Sequence, residues 1–106
     1  MRSDQRNTVR KILKVRALLS IDGREPQVAR TLDVGADGVC LVLDNPLPAG
    51  TVADLYFEIF HDGKLRPITS RAKVQHCILS NAGFKVGFQF LNLELASVTI
   101  LSKYMH

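Results

Sequence analysis

Apolar side chains alternate with polar ones along four stretches of the chain, which is the pattern of half-buried β-strands. The alternating stretches cover 13–21, 53–59, 68–78 and 84–90, and two shorter β-prone runs cover about 26–32 and 39–43. This pattern predicts six strands.

The residues between the predicted strands are typical of tight turns. Asp22-Gly23 and Asp62-Gly63 are dipeptides that favour two-residue hairpins, because both turn residues need positive φ. Asn81-Ala82-Gly83 provides another reversal, and prolines 46 and 48 with Gly50 mark a loop after the third strand. Short strands joined in this way predict a small antiparallel barrel, since closure removes exposed strand edges.

The last segment has a helical rather than a strand period. Its apolar residues are Leu91, Leu95, Val98, Leu101 and Met105. Asn92 is the predicted N-cap, with Glu94 near the positive end of the helix dipole. The fold prediction is therefore all-β with one C-terminal helix: a six-stranded antiparallel β-barrel over 11–90, followed by a helix over 92–105.

Composition and length fit one folded domain. The chain has 106 residues, of which 46% are hydrophobic and 23% are charged. Six of the first 16 side chains are basic and only Asp4 is acidic, whereas the remainder has a net charge of −1. We expect residues 1–10 to form a flexible basic arm that becomes ordered around an anion. The absence of a signal-like or membrane-spanning apolar run predicts a cytoplasmic protein.

Catalytic and metal chemistry find little support in the sequence. The three histidines, His61, His76 and His106, are not near any nucleophile motif. His76 has the strand parity of Val74 and Ile78, which predicts a core or half-buried side chain. The two cysteines, Cys40 and Cys77, lack zinc-ligand spacing and are interpreted as small apolar strand residues. We therefore expect no enzymatic activity, no cofactor and no metal site.

Two short motifs carry the candidate chemistry. Arg6 and Arg10 lie four residues apart before the first strand, and arginine donates bidentately to phosphate and to the O6/N7 edge of guanine. The second motif is Asp33-Val34-Gly35-Ala36-Asp37-Gly38, between the second and third strands, where a carboxylate can accept from guanine N1 and N2. Gly35 and Gly38 are expected to allow close ligand approach and positive φ. Taken singly, the motifs are equally compatible with a solvated tail and an ordinary connecting turn.

In this order the motifs resemble the PilZ domain, whose pattern is R-x-x-x-R, a strand, and then (D/N)-x-S-x-x-G. The resemblance extends to Ala49-Gly50-Thr51-Val52, to the final strand over 84–90 and to the amphipathic end of the chain. It implies a barrel of the split-barrel type that binds the bacterial second messenger cyclic di-GMP on its outer surface. Arg6 and Arg10 would clamp phosphates and guanines, and Asp33, Gly35 and Gly38 would contact a guanine. An overlapping R-x-x-x-R leaves open whether Arg2 also takes part.

One position departs from the family pattern, because Gly35 stands where the motif has serine. Losing one neutral hydrogen bond costs about 0.5–1.5 kcal/mol, which weakens binding without abolishing it. The leading hypothesis is therefore a cyclic di-GMP receptor that signals by docking onto an unidentified downstream protein. A protein-interaction module of the same fold that binds no nucleotide is the alternative. A small barrel that binds nucleic acid ranks lower, because Phe84, Phe88 and Phe90 share one strand face and are predicted to be core. We expect neither nucleic-acid partners nor membrane insertion.

Overall fold

The computed structural model describes residues 9–106 and shows a closed antiparallel barrel with one helix. The elements are β1 (Arg10–Ile12), β2 (Arg16–Ile21), β3 (Gln27–Gly35), β4 (Gly38–Leu43), β5 (Val52–His61), β6 (Lys64–Ser80), β7 (Gly83–Leu93) and α1 (Leu95–Met105). Six strands follow the order β3–β2–β5–β6–β7–β4, and pairing of β4 with β3 closes the ring. The predicted six-stranded barrel with a terminal helix is confirmed.

The short strand β1 extends the first barrel strand beyond a break at residues 13–15. Both β1 and β2 pair with β3. The side chain of Thr31, buried in β3, bridges the break: its hydroxyl accepts from the Val15 N–H at 2.9 Å and donates to the Leu13 carbonyl. Arg10, the last residue of the predicted arm, therefore belongs to a strand and lies opposite Gly35. Residues 1–8, the rest of that arm, lie outside the described residues.

The barrel interior is filled by the apolar positions that the alternation predicts. The largest fully buried side chains include Leu19, Leu41, Leu55, Phe57, Ile59 and Ile68. Phe88 is also buried, and Phe84 and Phe90 pack against the core, as their shared strand face predicts. Period two thus identifies the core wherever the strands are regular.

Strand β6 is not regular, and the prediction for His76 is wrong. Its register with β7 shifts between Val74 and His76, so Val74 pairs with Phe88 while His76 pairs with Gly87. This β-bulge inserts one residue and reverses the inward–outward alternation that follows it. His76 is consequently exposed, and Ile78 also faces outward with 58% of its surface accessible.

The helix begins later and faces differently than the apolar stripe predicts. Asn92 is not its N-cap, because this residue still pairs with Arg71 within β7; Glu94 takes the N-cap position without a side-chain hydrogen bond. The Ser97 hydroxyl accepts from the Thr69 N–H at 3.0 Å and fixes the helix on β6. Ser97 and Leu101 are therefore buried, whereas Leu95 and Val98 are 81% and 44% exposed. Helix α1 has 11 residues, so among residues 9–106 there is no helix that could span a bilayer.

Candidate functional site

An open cleft on the outer surface of the barrel brings the two sequence motifs together. Its volume is about 410 Å³, within the usual range for small-molecule sites. The lining residues are Arg10, Asp33, Asp37, Gly38, Val39, Cys40, Gln75, His76, Gly87, Phe88 and Gln89. The candidate residues Arg10, Asp33 and Gly38 therefore share one site, although 23 positions separate the first two in the chain.

Arg10, Asp33 and Asp37 form one side of the cleft, which we call the charged wall. The Arg10 Nε and Nη2 atoms each lie 2.7 Å from Asp33 Oδ1, and Arg10 Nη1 lies 3.8 Å from Asp37 Oδ1. The side chains of Arg10 and Asp33 remain 39% and 36% exposed. The Arg10 guanidinium, a hydrogen-bond donor, and the Asp33 carboxylate, an acceptor, thus neutralise each other while both stay accessible to a ligand.

The backbone explains why these side chains meet. Asp33 is the cross-strand neighbour of Ile12, and Arg10 is the neighbour of Gly35, two positions further along β3. Residues two apart on a strand share a face, so Arg10 and Asp33 point outward side by side. The second motif is therefore mostly strand, and only Ala36 and Asp37 lie between β3 and β4.

The glycines of this motif lack the positive φ that the sequence predicts. Positive φ occurs at Gly23, Gly50, Gly63 and Gly83 but at neither Gly35 nor Gly38. A Cβ atom on Gly38 would lie 2.1 Å from the Phe88 carbonyl oxygen, so the close approach it permits is that of β4 to β7. Gly38 thus allows β4 and β7 to pack closely where they line the cleft.

The side of the cleft on β6 and β7 was missed by sequence reasoning. Gln75, His76 and Gln89 form this opposite wall, in which Gln75 Nε2 donates to Gln89 Oε1 at 2.9 Å. His76 enters the cleft only because of the bulge, and no short motif in the sequence marks that irregularity. The glycine at position 87, within an otherwise apolar strand, is the one available hint, since glycine in a strand often marks a close approach.

Cys40 forms part of the floor beside Asp33. Burial raises the pKa of its thiol and the Asp33 carboxylate raises it further, against the opposing effects of Arg10 and Lys85. The thiol is therefore neutral at physiological pH and contributes no charge to the cleft. Among residues 9–106, no group of three or more His, Cys, Asp and Glu side chains is arranged to hold a metal ion.

One predicted site residue, Arg6, lies outside the described residues, as does Arg2, whose participation the sequence leaves open. Gly35 is buried at the end of β3, directly opposite Arg10. The described cleft thus contains one arginine, two aspartates, two glutamines and one histidine, together with small and apolar residues.

Comparison with known proteins gives a family and a set of similar folds. The model of the PilZ domain family matches residues 4–106. The Bacillus subtilis inhibitor of motility (MotI/DgrA) is similar with a TM-score of 0.86 at 17% identity, over 99% of this chain and 51% of that one. Borreliella burgdorferi PlzA in complex with c-di-GMP has a TM-score of 0.72 at 15% identity, over 97% and 42% of the two chains. No curated protein sequence matches the chain.

The PilZ domain of Escherichia coli YcgR, solved with c-di-GMP, is similar over nearly its whole length. Its TM-score is 0.68 at 12% identity, over 96% of this chain and 89% of that one. At such low identities the structural likeness establishes the fold alone. The chain spans about half of the length of MotI and less than half of PlzA.

Proposed function

Because this chain belongs to the PilZ domain family, we propose that it is a receptor for cyclic di-GMP that acts by docking onto a partner protein. The observation that carries the proposal is the meeting of Arg10 with Asp33 in an exposed cleft. The first group binds phosphates and guanine acceptors, and the second binds guanine donors.

The charged wall matches the chemistry of a cyclic guanine dinucleotide. Its phosphates and the O6/N7 edges of its guanines are acceptors, for which the planar, always charged Arg10 is a strong bidentate donor. The N1–H and N2–H groups of guanine are donors, which the Asp33 carboxylate accepts. Adenine offers no such donor pair, so Asp33 favours guanine over adenine.

Binding exchanges one set of charge-assisted hydrogen bonds for another. In the described structure Arg10 and Asp33 satisfy each other at 2.7 Å, and both are partly solvated. An exposed pair of this kind contributes only about 0–1 kcal/mol, so a ligand that pairs with both groups displaces it at little cost. Arg6, and Arg2 if it takes part, would add positive charge from the arm over the bound nucleotide.

The proposal also includes the ligand-binding residues, the cellular location and the partner. The ligand contacts are Arg6, Arg10 and Asp33, with Gly35 and Gly38 positioned beside them. A receptor of this kind works without catalysis, cofactor, nucleic acid or membrane insertion, and it functions where the messenger is, in the bacterial cytoplasm. Its signal passes to a protein partner that recognises the loaded domain.

A second candidate is an interaction module that binds no nucleotide. It is favoured by Gly35, which lacks the hydroxyl of the motif serine, and by exposed apolar side chains on the outer sheet such as Leu18, Val28 and Leu65. The third candidate, a nucleic-acid-binding barrel, loses support because Phe88 is buried and Phe84 and Phe90 pack against the core instead of forming an exposed stacking surface.

Calorimetric titration with cyclic di-GMP separates the first two candidates. We expect saturable binding with a micromolar or tighter Kd, and no competition by GMP or cyclic AMP. A flat titration at high protein concentration, with the protein shown to be folded by circular dichroism, would overturn the receptor proposal and favour the interaction module.

A further inference from the structure

The bulge in β6 places two consecutive side chains on the same face of the barrel. Gln75 is the inserted residue, and both Gln75 and His76 are exposed and line the cleft. In a regular strand one of any two neighbours points inward. Bulges interrupt strand pairing and are found next to binding sites, where they redirect a side chain.

Gly87 provides the space into which the redirected imidazole fits. A Cβ atom on Gly87 would lie only 2.2 Å from His76 Cε1 and 2.5 Å from Nε2. The ring thus occupies the position that any other residue's side chain would take, and Gly87 is buried beneath it. His76 itself remains exposed, so its ring lies between the β7 backbone and the open cleft.

The strand register fixes where this ring lies relative to the charged wall. Asp33 pairs with Cys40, Cys40 with Gly87, and Gly87 with His76, which forms one outward-facing row across four strands. Neighbouring strands are about 4.8 Å apart, so a ring above Gly87 is roughly 10 Å from the Asp33 backbone. The Cys40 position lies between them, which leaves a gap that a purine base can bridge.

We propose that the imidazole of His76 is the platform on which a guanine of the ligand stacks, with the hydrogen-bonding edge of the base directed at Asp33. The proposal rests on the proposed function and adds a further ligand-binding residue to it. Among the described residues of the cleft, His76 is the one accessible ring, because Phe88 is only 3% exposed. The charged wall contacts base edges and phosphates, so the face of the base requires a separate partner.

Substitution of His76 tests this role by calorimetry with cyclic di-GMP. Base stacking on an aromatic side chain is a large enough effect that His76→Ala should weaken binding roughly tenfold to a hundredfold. His76→Phe restores a flat ring without imidazole hydrogen bonds and should bind within about threefold of the parent. His61→Ala, at the end of β5 and away from the cleft, is the matched histidine control and should bind like the parent.

Gly87→Ala independently tests whether the His76 ring needs the space above Gly87. The added methyl group overlaps the imidazole, so the ring must leave its position and binding should weaken as in His76→Ala. The double variant His76→Ala/Gly87→Ala should bind no more weakly than His76→Ala alone, because no ring remains to be displaced. Circular dichroism melting of each variant confirms that it is folded.

Ring-current shifts provide a readout that a merely structural role would not produce. Saturation with cyclic di-GMP should move the His76 Hε1 proton resonance upfield and leave the His61 resonance in place. Parent-like binding by His76→Ala, loss of binding by His76→Phe, or an unmoved His76 resonance at saturation would each overturn the platform while the receptor function stands. Absence of binding by the folded parent would overturn both proposals.

Discussion

The two walls of the cleft are built by different means. The charged wall is formed by residues that lie in short motifs, and its side chains pair with one another through the 2.7 Å contact of Arg10 with Asp33. The opposite wall presents the side chains of Gln75, His76 and Gln89. It depends on a bulge before His76 and on the absence of a side chain at Gly87. Under the proposed function, the charged wall would recognise phosphates and base edges, and the opposite wall would stack on the face of a base.

Among the predicted changes, a substitution where β4 meets β7, between the two walls, should have the largest effect, which is a loss of stability. Gly38 of β4 pairs with Gln89 of β7, and a Cβ atom there would lie 2.1 Å from a backbone oxygen that cannot rotate away. Gly38→Ala should therefore lower the free energy of unfolding by about 3 kcal/mol or more, measured by urea denaturation.

The control for this junction is Ala36→Ser, an exposed change in the adjoining turn, which should leave the urea midpoint unchanged. If Gly38→Ala were as stable as the parent but lost ligand binding, Gly38 would be a ligand contact, as the motif predicts, rather than a constraint on strand packing.

Removing the arginine of the charged wall should weaken binding more than removing its carboxylate. Arg10→Ala deletes a charged donor set, and hydrogen bonds to charged groups are worth about 1.5–3 kcal/mol. The Kd for cyclic di-GMP should rise roughly tenfold to a hundredfold in a calorimetric titration. Arg24→Ala, in the exposed β2–β3 connection, removes the same charge elsewhere and should bind like the parent.

Parent-like binding by Arg10→Ala would mean that arm residues outside the described structure carry the phosphate contacts alone. In that case the arm, and not Arg10 of β1, would form the phosphate-binding side of the site.

The carboxylate should change specificity more than affinity. Asp33→Ala removes the acceptor for guanine N1–H and N2–H, but it also releases Arg10 from its competing ion pair, so the two effects partly offset each other. We expect cyclic di-GMP binding to weaken by about tenfold or less, and the preference for cyclic di-GMP over cyclic di-AMP to fall. The measurement is the ratio of the two Kd values.

An exposed carboxylate outside the cleft provides the comparison, because Asp44→Ala should keep the parental ratio. An unchanged ratio in Asp33→Ala would show that the guanine edge is read elsewhere, for example by the amides of the opposite wall.

The sequence predicts those features of the fold and the site that depend on residues close together in the chain. Period two identifies core residues such as Leu19 and Phe57, because each strand presents one face to the interior. Arg10 and Asp33 each belong to a motif only a few residues long, and the register of β1 with β3 brings their side chains together. The place of Arg6 in the site stays a prediction.

The missed features all depend on contacts between distant parts of the chain. His76 turns outward because β6 gains a residue relative to β7, which its own sequence does not reveal. The helix is oriented so that the Ser97 hydroxyl accepts a hydrogen bond from the Thr69 N–H. Leu95 is therefore exposed, although it belongs to the apolar stripe. Asn92 is a good N-cap residue, but pairing with β6 keeps it in a strand. In each case long-range pairing overrides local preference.

Restoring the motif serine should have the smallest effect and is the most direct test of the departure from the family pattern. Gly35 ends β3 opposite Arg10, on the face that carries Asp33. In Gly35→Ser the new hydroxyl would lie beside the charged wall, where one neutral hydrogen bond is worth about 0.5–1.5 kcal/mol. Calorimetry should therefore give a Kd for cyclic di-GMP that is equal to the parent's or up to about tenfold lower. The matched control is Gly35→Ala, which makes the same change in backbone freedom without the hydroxyl. Tighter binding by Gly35→Ser than by Gly35→Ala would assign the gain to the hydroxyl, equal binding would show that this site does not use it, and weaker binding than the parent would mean that the cleft has adapted to glycine.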